Sequence, residues 1–192
     1  MKNMKKWDVL GRETIGDFRV FRLRRERSAS PETGREHDFY VLGAADWVNV
    51  VPVTDAGEIV LVSQYRAGSG AVSIEIPGGI VDPGETPAAA AERELLEETG
   101  YAAREIVPLG SFSPNPAILD NRLHTYLARG ARRVAAPRLD GSEEIEVSVV
   151  PRAEVENFVR TGRIDHALVL VALYALDRHL AAEKGASAVR SS

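Results

Sequence analysis

The 192-residue chain contains no cysteine. That absence excludes disulfides, cysteine nucleophiles, zinc ribbons and Fe–S clusters, and it suits a reducing cytoplasm, which is the expected compartment. Long apolar runs are also missing. The longest, Ala167 to Leu176, falls well short of the ~20 residues a bilayer crossing needs, so it reads as a buried helix or a helix at a subunit interface. The N-terminal MKNMKKWDVLG has lysines but no apolar stretch to make an export signal. Positive charge is not in excess either. With 24 Lys+Arg, 28 Asp+Glu and a net charge of −4, the composition argues against a general nucleic-acid binder, since such domains are strongly basic. The sequence has no G-x-x-x-x-G-K-[ST], no H-E-x-x-H and no G-x-S-x-G, so P-loop, zinc-protease and serine-hydrolase readings lack their defining residues.

What is present is a profile of 44% hydrophobic and 27% charged residues, that of a folded protein long enough to bury roughly 70% of its unfolded surface. Residues 1–45 read as short antiparallel strands. Phe18 to Arg24 nearly alternates, the polar SASPETGRE follows, and Phe39 to Leu42 answers it as the second arm of a hairpin. The arginines Arg19, Arg22, Arg24, Arg25 and Arg27 read as edge-strand protection. A second strand pair spans Trp47–Val53 and Glu58–Tyr65 around the turn Thr54-Asp55-Ala56-Gly57. Val72 to Ile76 is a strand running into the Gly/Pro loop from Pro77 to Glu85, which excludes helix and strand alike. Strand-like segments follow at Val107–Phe112, His124–Ala128 and Ile145–Val150. A short helix begins at Pro151 and ends near Gly162, Asp165 caps a longer one to about Glu183, and residues 185–192 read as a disordered tail. Strands, helix, strands and helices in that order predict one mixed α/β domain over 46–184 behind an N-terminal strand extension.

The best-punctuated element is a helix capped by Thr86, begun by Pro87 and stopped by Gly100. Within it Glu94, Glu97 and Glu98 stand at i, i+3 and i+4, so their carboxylates crowd one face, each pair costing a few tenths of a kcal/mol. Glu97 and Glu98 also occupy the last turn, where the helix dipole disfavours negative charge by roughly 0.3–1 kcal/mol. Only Arg93 is nearby. A cation resolves the repulsion, and an all-oxygen set of carboxylates and loop carbonyls suits Mg2+ or Mn2+ rather than Zn2+. Gly78, Gly79 and Gly84 let the preceding loop approach that face and bring Glu85 to it. The plainer reading is a solvated acidic helix face.

Gly79, Glu85 and Arg93-Glu94-Leu95-Leu96-Glu97-Glu98-Thr99-Gly100-Tyr101 together resemble the Nudix box, G-x5-E-x7-R-E-U-x-E-E-x-G-U, departing from it only at the aromatic Tyr101. The resemblance covers roughly residues 40 to 175. Gln64-Tyr65-Arg66 and Glu75-Ile76-Pro77-Gly78-Gly79 are similar to the segments before the box in ADP-ribose and nucleoside-diphosphate-sugar pyrophosphatases, and Pro116 stands sixteen residues beyond Gly100, as in that subgroup. Ala117 to Arg122 departs from the subgroup's pattern. The resemblance implies a Nudix fold, a mixed sheet between helices. It implies Glu94 and Glu98 as principal Mg2+ ligands, with Glu97 and the Gly78 carbonyl contributing, and Arg93 orienting the glutamates while Glu85 supports them. It further implies Arg66 on a phosphate, Glu75 seating the substrate, and a loop glutamate before the strand Ile145–Val150 activating water, Glu143 in preference to Glu144, with a box glutamate, Glu97 among the catalytic candidates, as the alternative base. Residues 1–45 would pack across a homodimer. The reaction implied is metal-dependent hydrolysis of a nucleoside diphosphate sugar to a nucleoside monophosphate and a sugar phosphate.

Three rivals stand beside it: a non-catalytic sensor of ADP-ribose, a pyrophosphohydrolase of RNA 5′ ends or dinucleoside polyphosphates, and an interaction module with an acidic helix. Trp47 and Tyr40 are open between core packing and stacking on a nucleobase. The histidines His37, His124, His166 and His179 are scattered and read as structural or surface residues.

Overall fold

A computed structural model describes residues 4–139, 141 and 144–190. The chain divides into two units, Met1–Asp46 with Ser113–Arg122, and Trp47–Phe112 with Leu123–Ser192.

The first unit is an antiparallel sheet of β1 (Asp8–Asp17), β2 (Arg22–Ala29) and β3 (Glu36–Gly43), in that order. The expected hairpin is β2 against β3, in register from Arg22 opposite Gly43 to Ala29 opposite Glu36. Phe18 to Phe21, expected as strand, is instead the turn between β1 and β2, closed by Phe18 N–H donating to the Phe21 carbonyl at 2.9 Å with the two rings 4.9 Å apart. β1 lies within the residues expected as N-terminal antiparallel strands, ahead of the segment whose alternation marks them. Its register shifts at Leu10 and Ile15, so bulges throw its apolar residues out of alternation. The arginines are cross-strand partners: Arg12 pairs with Glu26, Arg25 with Glu13 and Arg27 with Glu36. Ser113–Arg122 joins this unit through Leu42 N–H to the Ile118 carbonyl (2.7 Å), Asn121 Nδ2 to the Ala45 carbonyl (2.9 Å) and an Arg24–Asp120 ion pair.

In the second unit a seven-stranded mixed sheet runs β12 (Ile145–Pro151), β5 (Glu58–Arg66), β4 (Trp47–Val53), β10 (Leu123–Arg129), β9 (Glu105–Phe112), with β6 (Ala71–Glu75) on β5 and β7 (Gly78–Ile80) on β4. The turn after β4 forms as expected, with Gly57 at φ 79°. The two strands then splay, pairing only at Val53–Ile59, because the edge of β4 that faces β5 is taken from Trp47 to Val50 by β7 and the Pro77 carbonyl, while β10 runs parallel along its other edge. The β6–β7 segment bridges the split: β6 pairs with β5, the Pro77 carbonyl accepts from Val50 N–H at 2.9 Å, and β7 pairs with β4. β7 therefore corrects the reading of 77–85 as wholly irregular. A small β8 (Tyr101–Ala102) and β11 (Arg132–Arg133) form a separate antiparallel pair.

Alternation along β4 divides the core. Val48 and Val50 pack with Ala90, Ala91 and Leu95 of α1 (Pro87–Thr99). Val51, Ile59, Leu61 and Leu127 pack on the other face with Val155 and Phe158 of α2 (Arg152–Arg160) and Val169, Ala172 and Leu176 of α3 (Ala167–Arg190). The sheet thus lies between helices, as expected. α3 runs on past Glu183 to Arg190, and its first turn is opened not by Asp165 but by the His166 carbonyl, which accepts from Val169 and Leu170 N–H.

Candidate functional site

α1 forms where its caps dictate. Thr86 Oγ1 accepts from Ala89 N–H at 3.2 Å, and Gly100, at φ 73°, donates its N–H to the Leu96 carbonyl. The left-handed residue must be glycine, since a Cβ there would stand 2.2 Å from the Ala135 carbonyl oxygen. With Ala90, Ala91 and Leu95 facing the sheet, Arg93, Glu94, Glu97 and Glu98 fall toward β7 and the loop after it.

Arg93 is the hub. Its guanidinium donates to Glu85 (3.1 and 3.0 Å), Glu94 (2.8 Å), Glu97 (3.2 Å) and the Ile80 carbonyl (3.0 Å). The sequence placed one cation among like charges, and the structure shows that cation gathering three of the four carboxylates. Its pKa is held above the ordinary range, first by Glu85 and then by Glu94 and Glu97. Glu85 is held below the ordinary carboxylate range, mainly by hydrogen bonding to Arg93. Glu98 is 3% exposed, and its Oε2 accepts from Gly78 N–H at 3.1 Å. Glu94 lies against Gly79, where a Cβ would meet Oε1 at 2.1 Å.

Among the described residues, no three acidic or histidine side chains stand together as a metal cage. The carboxylates are turned to Arg93 and to Gly78. The donor chemistry nonetheless fits a hard cation: every side chain is a carboxylate, and two adjacent glycines leave room on the β7 side.

Gly78 and Gly79 also line a cavity of about 730 Å3 together with Trp47, Arg66, Glu75 and His166. Glu75, 2% exposed, accepts from Arg66 Nε and Nη2 at 2.8 and 2.7 Å, with His166 Nδ1 3.4 Å away. Burial pushes the Glu75 pKa up, but the hydrogen bonds and charges of Arg66 and His166 outweigh it and hold the carboxyl at about 2. Trp47 opens β4, opposite Ile80 on one side and Leu123 on the other, and forms part of the wall.

The second unit thus brings together Trp47, Arg66, Glu75 and Gly78 on one cavity, and Arg93, Glu94, Glu97 and Glu98 on the helix beside its glycine floor. Pro116 belongs to the first unit, and Glu143 lies outside the described residues. Two cavity residues escaped the sequence reading. Asn49 interrupts the apolar run of β4, which was a signal; it is buried and donates Nδ2 to the Leu168 carbonyl at 3.0 Å. His166 carried no such signal, being one of four scattered histidines.

Comparison with known proteins agrees with this geometry. The chain is 34% identical over 127 residues to an ADP-ribose pyrophosphatase of Bacillus subtilis (66% of this chain, 69% of the relative). It is 31% identical over 175 residues to an ADP-ribose pyrophosphatase of Mycobacterium tuberculosis (88% and 83%). A crystal structure of an ADP compounds hydrolase shares the fold, with a TM-score of 0.84 at 22% identity over 95% of this chain and 98% of that one. The NUDIX domain model matches residues 44–171, a span that holds the whole of α1 and the cavity-lining strands. With Arg93 and its glutamates in the positions that define the box, the chain belongs to the Nudix family.

Proposed function

We propose that the protein hydrolyses the pyrophosphate bond of ADP-ribose or a related nucleoside diphosphate sugar, releasing a nucleoside monophosphate and a sugar phosphate. The observation that carries the reading is the shared floor. Gly78 and Gly79 line the cavity and are also the residues against which Glu98 and Glu94 rest, so a diphosphate in the cavity would lie beside the glutamates. The two pyrophosphatase relatives support the same reaction class.

In this reading Glu94 and Glu98, with Glu97 and the Gly78 carbonyl, hold Mg2+, and Mn2+ suits the same oxygens. A divalent ion so held supplies neutralisation of phosphoryl charge and a bound water of lowered pKa. Arg93 keeps the carboxylates aligned, Arg66 meets phosphate oxygen from an orientation fixed by Glu75, and Trp47 offers a ring to the base. Pro116 contributes to substrate binding, and Glu143 takes the proton of the attacking water. Residues 1–45 serve homodimerisation, ahead of a catalytic domain over 46–184.

The test is product release by the purified chain with Mg2+ from ADP-ribose, other nucleoside diphosphate sugars, NADH and capped RNA. AMP and ribose 5-phosphate from ADP-ribose are the expected principal products. Faster turnover of capped RNA, or binding of ADP-ribose without turnover, would replace this reading with a pyrophosphohydrolase of RNA 5′ ends or a metabolite sensor.

A further inference from the structure

We propose that His166 determines substrate specificity: fixed by Glu75 through Nδ1, it presents Nε2 to the cavity as a hydrogen-bond acceptor for a ribose hydroxyl of the nucleoside diphosphate sugar. The inference rests on the function proposed above for its ligand, and on cavity geometry for everything else.

His166 lines the cavity with its side chain 38% exposed, yet its Nδ1 is buried and has no hydrogen-bond partner among the described residues within ordinary geometry. A buried ring nitrogen needs a partner. The Glu75 carboxylate, with Oε2 at 3.4 Å, supplies it. Arg66 already donates twice to that carboxylate, but two carboxylate oxygens offer about four lone-pair sites, so a third donor is accommodated. An ionised carboxylate only accepts, so the ring proton belongs on Nδ1. The neighbouring charges are Arg66 from β5, Glu75 from β6, and Arg163 and Asp165 from the segment before α3.

With Nδ1 buried, the exposed part of the ring is the edge bearing Nε2. In the neutral ring protonated at Nδ1, that nitrogen is a lone-pair acceptor. A phosphate oxygen would be repelled there and a hydroxyl accepted. The backbone of the residue is fixed at this place on the cavity wall, because its carbonyl receives the Val169 and Leu170 N–H groups that begin α3.

Two measurements on the full chain test the proposal. Long-range 1H–15N correlation spectra of the 15N-labelled protein should show His166 protonated on Nδ1 and bare on Nε2. The opposite tautomer, or a ring protonated on both nitrogens, overturns it. In steady-state assays with Mg2+, His166→Ala should raise KM for ADP-ribose roughly three- to tenfold with little change in kcat, and the penalty should vanish against the deoxyribose analogue lacking the accepted hydroxyl. His166→Gln, which retains an acceptor, should recover part of the loss and guards against a folding defect in the alanine variant. An equal penalty on every deoxy analogue, a loss confined to kcat, or no loss overturns the assignment. Failure of the wild-type chain to turn over ADP-ribose strikes the functional reading and the ribose assignment, while the spectra decide the Glu75–His166 geometry independently.

Discussion

Arg93 and Glu85 meet through both ends of each group, Nε to Oε1 at 3.1 Å and Nη2 to Oε2 at 3.0 Å, so the loop before α1 is tied to the middle of the helix by a bidentate ion pair. The same guanidinium reaches Glu94 and Glu97. A residue that looks from sequence like a lone neutralising charge is the post on which the acidic face is built.

Arg93→Ala leaves three carboxylates without that cation and is expected to destabilise the metal-free protein by about 1.5–3 kcal/mol, the range for hydrogen bonds to charged groups. Added Mg2+ should raise its melting temperature more than that of the wild type. Thermal melts of both proteins with and without the ion check this; equal shifts would show that the cation and the guanidinium do not serve the same carboxylates.

Adjacent glycines are expected to fail differently. A Cβ at Gly78 would stand 2.4 Å from the Val48 carbonyl oxygen, fixed backbone in β4, whereas at Gly79 it would meet only the end of the Glu94 side chain. Gly78→Ala should cost about 1–3 kcal/mol of stability, as overpacking does. Gly79→Ala should melt near the wild type yet lose about a hundredfold in kcat, through a displaced carboxylate. Paired melts and rate measurements distinguish the two.

How much of this was legible follows from where the information lies. α1 was readable to the residue because Thr86, Pro87 and Gly100 each impose local geometry, and the box glutamates ride on that helix at helical spacing. The splaying of β4 from β5 was not, since the Thr54–Gly57 turn specifies a hairpin locally and only the insertion of β6 and β7, with β6 on β5 and β7 on β4, parts the two strands. β7 was hidden by its glycines, which strand preference disfavours, though close packing on Val48 demands Gly78 and the approach of Glu94 favours Gly79. Asp165 is a good cap by type, yet the backbone enters α3 one residue later. The place of His166 on the cavity wall depends on the segment before α3 meeting Glu75 at the end of β6, a tertiary fact without a sequence signature.

Acid should unfold the protein partly through Glu75. Its carboxyl lies at about 2 against an ordinary 4.5, so the folded state binds the proton less tightly than the unfolded one. The stabilisation is full above about pH 4.5 and is lost as pH falls toward 2. Glu75→Gln should be less stable at pH 7 and lose less stability across that interval. Urea unfolding at stepped pH checks it; parallel curves for the two proteins would show that Glu75 is not a source of the acid sensitivity.

The first unit exposes Leu10, Ile15, Phe18, Val20 and Tyr40, each at least half accessible, a quantity of apolar surface expected to be covered in solution. Light scattering at micromolar concentration should give twice 20.9 kDa, and a variant with Leu10 and Ile15 changed to Lys should shift toward monomer. A monomeric wild type would remove the homodimer.

The most direct test of the account is hydrolysis of ADP-ribose by the wild type and by Glu98→Gln, followed by chromatography of the products. Gln keeps an oxygen to accept from Gly78 N–H but loses the charge that would hold the cation, so the variant should fold and melt near the wild type. AMP and ribose 5-phosphate are expected from the wild type with Mg2+ and neither after chelation, with the rate reduced by orders of magnitude in Glu98→Gln. Near-full activity of that variant, or turnover that survives chelation, would contradict it.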